Sequence, residues 1–483
     1  MAMEKIRKDE LIIVGSEITE EGIVIKTGKK EYKISYPRDM WKRFSAANKE
    51  LLLDNLTFMK TMHLPAAMGK KSIVYETALP FFETFAYKST MLDIPSTATI
   101  DNQKTTDYMK SFFNTKFVFS SYDAVLPDFG KKAKTSSKKK PAALILFTAG
   151  KESLLTLGMC LELGIRPILI YIDEDPESSE SKHKELILEE LKQDYGLEVI
   201  KIRNEAAKLR FICGDDVNWG AGVQFLSYTL MVLPVAQQYD ADYVFFGNEY
   251  GCDLYQYDKE GFRSLFWSDQ SQEATKLMNI VSQTMTKGNL EVGSLVGPLQ
   301  EIAVTKVLHE RYPGLAKLQM SCFCDDQKTE TRWCADCSKC ATMYTHFKAL
   351  GIDETRVGFP KDMFTKESKE HFVVFGNTEN YSYDGSDILS EDQALGLYMA
   401  MKRGAKGEVL EEFSKTKAYK YVDDNFKKRF AEQFTAYETI TLPYDLRAKV
   451  MDIIESTLEG TALPRYFRLK QPSESEVVEI DNN

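Results

Sequence analysis

At 483 residues the chain exceeds the size at which one hydrophobic core keeps growing, so two or three domains are expected. Hydrophobic residues at 43% and charged residues at 28% fit a soluble globular protein, and no apolar run is long enough to span a bilayer. A net charge of −10 argues against general nucleic-acid binding, which needs a basic surface to neutralise phosphates.

The N-terminus, MAMEKIRKDELIIVGSE, lacks the apolar core and cleavage site of a secretory signal, which makes the cytoplasm the expected compartment. Residues 1–130 mix β-like runs (LIIVG, IVIKTG, EYKISY) with a helical segment around RFSAANKELLLDNLTFMKTMH, and are expected to form an α+β accessory domain. Residues 131–141, within GKKAKTSSKKKPA, have neither periodicity nor apolar content and are expected to be an exposed linker. From Ala142 strands and helices alternate: AALILF, a helix to about Gly164, PILIYID, a charged helix, LEVIKI, one long helix VQFLSYTLMVLPVAQQYDA, and a fourth strand DYVFFG. That alternation predicts an α/β domain with a doubly wound parallel sheet over 142–352. Residues 353–470 are expected to be a mainly helical extension, and 471–483 a polar, disordered tail.

In such sheets ligands sit beyond the carboxyl ends of the strands, where Thr148–Ser153, Asp173–Asp175 and Gly247–Asp253 fall. The stretch FTAGKES reads as strand, tight turn and helix, an arrangement that aims backbone N–H groups at an anion. It is not a Walker A loop, since the first glycine is missing and Lys151 precedes Glu152-Ser153, and the Rossmann glycine fingerprint is absent as well.

Five of the eight cysteines lie between Cys322 and Cys340. Cys334, Cys337 and Cys340 form a C-x2-C-x2-C knuckle, and Cys322 or Cys324 supplies a fourth thiolate. Four soft ligands suit a closed, structural Zn²⁺ site, with an iron–sulfur cluster as the chemical alternative. Cys160, Cys213 and Cys252 stand alone and read as small apolar side chains.

Taken in order, these motifs resemble the 7-cyano-7-deazaguanine synthase family of the pyrophosphatase-loop (PP-loop) superfamily, whose fold is of the adenine nucleotide alpha hydrolase-like kind. FTAGKES is similar to the family's S-G-G-x-D-S loop, VFFGNEYGCD to its substrate-side loop, GPLQEIAVTKVLHERYPGLAKLQMSCFC to the segment leading into Ser-Cys-aromatic, and WCADCSKCATMYTHFKALGI to its zinc knuckle. The resemblance implies that Cys322, Cys334, Cys337 and Cys340 bind Zn²⁺, leaving Cys324 spare. It also implies ATP and Mg²⁺ as cofactors. Thr148, Ala149, Gly150 and Ser153 would then line the phosphate site, with Lys151 neutralising charge and Glu152 helping to hold Mg²⁺. Lys306 would be a second catalytic cation beside Lys151 and Ser153. Asp173 would face the ribose or cap the following helix, and Gly247 and Asn248 would complete the nucleotide site.

Family members adenylate the carboxylate of 7-carboxy-7-deazaguanine and let ammonia displace AMP, before a second activation gives a nitrile. Here Thr148, Ala149 and Glu152 depart from the loop pattern, no asparagine opens GAGVQFLS, and the chain is more than twice the usual length. The larger chain resembles relatives in bacterial anti-phage operons, which implies that the activated carboxylate is joined to an amine such as the N-terminus of a protein partner. The alternatives are a nitrile synthase using ammonia and a non-catalytic nucleotide-binding module.

Overall fold

The computed structural model describes residues 10–128, 140–214, 218–322, 331–376 and 390–459. Most of the linker, Cys324 and the polar tail lie outside the described residues. Among the described residues no helix is long and apolar enough to cross a membrane.

One ten-stranded, mostly parallel sheet runs through the molecule. The three β-like runs near the N-terminus form β1 (Leu11–Ile18), β2 (Gly22–Thr27) and β3 (Lys30–Ser35), followed by β4 (Ser72–Ala78) and β5 (Lys116–Ser121). The second half contributes β6 (Ala142–Leu146), β7 (Arg166–Asp173), β8 (Glu198–Asn204) and β9 (Tyr243–Phe245). After a separate two-stranded hairpin, β10 (Tyr255–Tyr257) and β11 (Arg263–Leu265), the last sheet strand is β12 (Glu291–Gly293). The order is β12-β9-β6-β7-β8-β3-β2-β1-β4-β5, and β12 through β8 are all parallel. Sequence patterning did not anticipate the junction of the two halves. It is an antiparallel pairing of β3 with β8, Ile34 opposite Asn204 and Ser35 opposite Arg203.

The central strands are apolar on both faces because helices cover both. Along β6, Ala143 and Ile145 face one core and Ala142 and Leu144 the other. The first core receives Leu154, Leu155 and Leu157 of helix Lys151–Glu162, and Val304 and Val307 of helix Glu301–Arg311. It extends without a break into Leu395, Leu410 and Ile454 of the C-terminal helices. The second core joins Leu51 and Leu52 of helix Ala46–Thr61 to Leu226 and Leu230 of helix Gln224–Met231. The flanking segments therefore share their cores with the parallel sheet.

The long helix expected over 223–241 is two helices, Gln224–Met231 and Leu233–Tyr239. Pro234 sits in the first turn of the second, where its missing N–H costs nothing, whereas in a continuous helix it would remove a ladder bond. Helix Ser179–Tyr195 starts at Ser178, whose side chain accepts the N–H of Ser181, and stops at Gly196, which takes a left-handed φ of 64°.

Candidate active site and metal centre

β6 lies between β7 and β9, and the chain leaves it in opposite directions, so the parallel half has its switch point there. Beyond the carboxyl ends of these strands lies a cleft of about 640 Å³. Thr148, Lys151, Glu152 and Ser153 form one wall, Glu174 and Asp175 after β7 a second, and Gly247, Asn248 and Glu249 after β9 a third.

The loop after β6 is held by few bonds. Ala149 takes a left-handed φ of 59°, a conformation glycine normally supplies, and its carbonyl accepts the N–H of Met320 at 2.9 Å. Gly150 opens helix Lys151–Glu162 with no side chain capping the helix amides. Its own φ of −68° is open to any residue. A β-carbon there would stand 3.1 Å from Glu152 Oε2, 3.5 Å from Thr148 Oγ1 and 3.9 Å from Ser321 Oγ, so an alanine would fit with a small shift of that carboxylate but would fill the space in front of the helix start. The buried Ser153 hydroxyl donates to the Gly150 carbonyl at 3.1 Å and so stiffens the turn. Gly247 brings the β9 loop against this helix, since a β-carbon on it would lie 2.6 Å from Glu152 Cβ.

Lys151 lines the cleft beside Glu152. Its ammonium is buried and ion-paired with Glu152 and, at 3.0 Å, with Glu301. Burial alone would push its pKa down, but Glu152, Glu301 and Glu249 outweigh it and hold the lysine charged. Glu249 is pushed well up by burial and by Glu301 and Glu152, against the pull of Lys151. One lysine thus sits among three carboxylates and is internally compensated.

Asn248 is 3% exposed, and its Nδ2 donates to Thr275 Oγ1 at 3.0 Å. Thr275 in turn donates to the Ser271 carbonyl, which fixes the orientation of the amide. Asn248 Oδ1 is left as a buried acceptor with no partner among the described residues. At such a cleft wall it calls for a ligand N–H or O–H.

Two expected residues lie elsewhere. Asp173 is fully buried and pairs with Lys201 at 3.0 Å and Arg203 at 3.2 Å, both on β8, so it neither lines the cleft nor caps the next helix, whose cap is Ser178. Alternation along the strand turns the next residue, Glu174, toward the cleft instead. Lys306 does not line the cleft: its ammonium pairs with Glu310 one turn along helix Glu301–Arg311.

At the other end of the cleft the strand end 173–175 was anticipated, but the partners of Glu174 and the aromatic pair beside it were not. Glu174 accepts from Tyr228 Oη at 2.6 Å, Asn204 Nδ2 at 2.8 Å and Arg210 Nη2 at 3.3 Å. Phe225 and Phe246 stack beside it with centroids 5.2 Å apart. A polar edge flanked by aromatic faces suits a planar heterocycle.

The four cysteines of the metal motif converge. Cys322, Cys334, Cys337 and Cys340 place their sulfurs within 4.8 Å of one another. Cys334 and Cys340 Sγ are 3.7 Å apart, close to the ~3.8 Å edge of a tetrahedron with ~2.3 Å zinc–sulfur bonds. Backbone N–H groups of Cys334, Asp336 and Cys340 point at Cys322, Cys334 and Cys337 Sγ at 3.3–3.4 Å, which suits thiolates. The donor set fits a metal ion such as Zn²⁺. Cys337 also caps helix Ser338–Leu350, so the metal site organises that helix start.

No protein-family model and no curated protein matches this chain.

Proposed function

We propose that this protein is an ATP-dependent, AMP-forming ligase of the PP-loop type that activates a 7-carboxy-7-deazaguanine-like carboxylate and joins it to an amine. The observation that carries the reading is the uncapped helix start at Gly150, opening into a switch-point cleft. Amides in that position suit a phosphate, and the missing β-carbon leaves room for it. In the reaction the substrate carboxylate attacks the α phosphorus of ATP, the α–β bridging bond breaks, and pyrophosphate leaves. An amine then displaces AMP to form the amide.

The residues divide these tasks. The Thr148–Ser153 loop would hold the leaving pyrophosphate, with Ser153 keeping the loop rigid. Glu152 and Glu249 offer hard oxygen donors suited to Mg²⁺, which would supply charge neutralisation. Asn248 Oδ1 would accept from a ligand amine. The aromatic end with Glu174 and Arg210 would take the heterocycle. The four-cysteine site is read as structural zinc.

A protein amine is the proposed acceptor. The β10–β11 hairpin rises between the cleft residues Cys252 and Trp267 and carries Tyr255 and Tyr257, 50% and 68% exposed, beside the opening. Exposed aromatics of this kind suit a protein partner.

The test is exchange of labelled pyrophosphate into ATP with 7-carboxy-7-deazaguanine present. Carboxylate-dependent exchange with release of AMP is expected, and Ser153→Ala should lower it. Release of ADP, or exchange unchanged in Ser153→Ala and Gly150→Ala alike, would refute the assignment of this loop.

A further inference from the structure

The aromatic end of the cleft is lined by residues of the parallel half, but the N-terminal segment holds them from behind. Lys60, on helix Ala46–Thr61, sets its ammonium over the Tyr228 ring, 5.2 Å from the centroid. His63, just past the end of that helix, hydrogen-bonds the carbonyl of Leu209, next to Arg210, at 3.3 Å. The third contact comes from Asp93 on helix Glu83–Ile100. Its Oδ1 accepts from the Ser268 hydroxyl at 2.6 Å, and its Oδ2 accepts from the Gly222 N–H and the Thr97 hydroxyl, both at 3.0 Å. One turn on, Ser96 donates to the Leu265 carbonyl at the end of the β10–β11 hairpin.

Asp93 thus joins two stretches that lie far apart in the chain and both run into the cleft wall. Gly222 leads into Gln224, Phe225 and Tyr228, and Ser268 stands between Trp267 and Gln270; all five of these neighbours line the cleft. The contact is close, since a β-carbon on Gly222 would stand 2.3 Å from Asp93 Cβ. A buried carboxylate is costly unless its oxygens are bonded. Here two of the three bonds go to pieces of the cleft wall, and the third stays within the helix that carries Asp93. Asp93 and Ser268 are both buried, so breaking their bond leaves polar atoms that water does not reach.

We propose that the N-terminal segment sets which heterocycle the cleft accepts, with Asp93 as the positioning residue that fixes the Gln224–Tyr228 wall relative to the Trp267–Gln270 wall. Asp93 acts through the residues it holds and touches no ligand itself. The proposal rests on the heterocycle position assigned in the ligase reading, but it concerns binding and is tested without turnover.

The experiment is calorimetric titration of the full-length, metal-loaded protein with 7-carboxy-7-deazaguanine and separately with inorganic pyrophosphate, which has no ring. Melting temperature is measured on each sample. Asp93→Asn keeps the volume but can accept through only one of its two terminal atoms, and Ser268→Ala removes the donor on the cleft side. Each should weaken binding of the heterocycle about fivefold, the scale of one net hydrogen bond, and leave pyrophosphate affinity as in the wild type. The double variant should be no worse than the weaker single one, because both break the same bond. Thr97→Val removes the bond that stays within the helix, and its heterocycle affinity should match the wild type. Unchanged heterocycle affinity in Asp93→Asn and Ser268→Ala, an equal loss in Thr97→Val, or a parallel loss of pyrophosphate affinity would overturn the proposal, as would a wild type that does not bind the heterocycle. Weakened binding in the two variants of a protein that shows no pyrophosphate exchange would uphold this role and refute the ligase. Exchange with an unchanged KM for the carboxylate in both variants would do the reverse.

Discussion

Gly150→Ala isolates the contribution of the helix start from the stability of the fold. The φ of −68° and ψ of 165° at this position are ordinary for alanine, so the backbone carries no strain in the variant. Alanine also reduces the freedom of the unfolded chain, worth about 0.4–1 kcal/mol in favour of the folded state. The new methyl meets Glu152 Oε2 at 3.1 Å and Thr148 Oγ1 at 3.5 Å, and only the carboxylate has to shift, by a few tenths of an ångström. Stability should therefore hold or rise slightly. Binding should not: the methyl fills the space in front of the helix amides, and losing one charge-assisted hydrogen bond costs about 1.5–3 kcal/mol, or roughly 10- to 150-fold in Kd. Gly247→Ala is the contrasting variant. Its β-carbon would lie 2.6 Å from Glu152 Cβ, a short stem that cannot swing away, and overpacking of about 1–3 kcal/mol should lower stability and binding together. Thermal melts and ATP titrations of both variants are the assay. If Gly150→Ala binds ATP as the wild type does, no ligand approaches this glycine and the phosphate reading fails.

Further outcomes follow from the same geometry. Elemental analysis should find close to one zinc per chain, and Cys340→Ser should lose the metal together with part of the folding free energy; a metal-free protein of unchanged stability would contradict this. Lys151→Met should destabilise by about 3–5 kcal/mol in denaturant titration, because Glu152 and Glu301 lose their shared partner in a buried site, and a change under 1 kcal/mol would mean the pairs are solvated. Burial raises Asp54 to about 7, so the folded state keeps a proton that the unfolded chain has released. Stability from this group is full below the usual carboxylate range and is lost as pH rises to about 7. Asp54→Asn should accordingly melt higher than wild type above pH 7, with the gap closing toward pH 4; a pH-independent gap would refute the assignment.

Local features were legible in the sequence where the signal was itself local. The strand–turn–helix at 142–162 and the cysteine spacing both arise within a few residues, and both are present. What could not be read depends on partners distant in the chain. That Lys151 is claimed by Glu301, 150 positions onward, follows only from how helix Glu301–Arg311 crosses the loop. Asp173 and Glu174 are adjacent acids, and the choice between them turns on the phase of the strand, which a one-residue slip reverses. Arg203 and Lys201 on the neighbouring strand settle that phase by claiming Asp173. Lys306 follows the resemblance in its motif, yet a carboxylate one helical turn away takes its charge. The break at Pro234 was visible as a residue, but apolar periodicity runs through it and hides the stop.

β8 is met by β3 from the N-terminal segment, and beyond β12 the N–H of Ser294 donates to the carbonyl of Thr441 from the C-terminal segment. Both margins of the five parallel strands are thus bonded to the parts of the chain that no catalytic motif required. A fragment trimmed to residues 142–352 would present raw strand edges on either side, together with the bared faces of two shared cores, and such a surface recruits further copies of itself. Loss of activity on removing either flank would then report self-association of the remnant, so the flanks are better questioned by point substitution than by deletion.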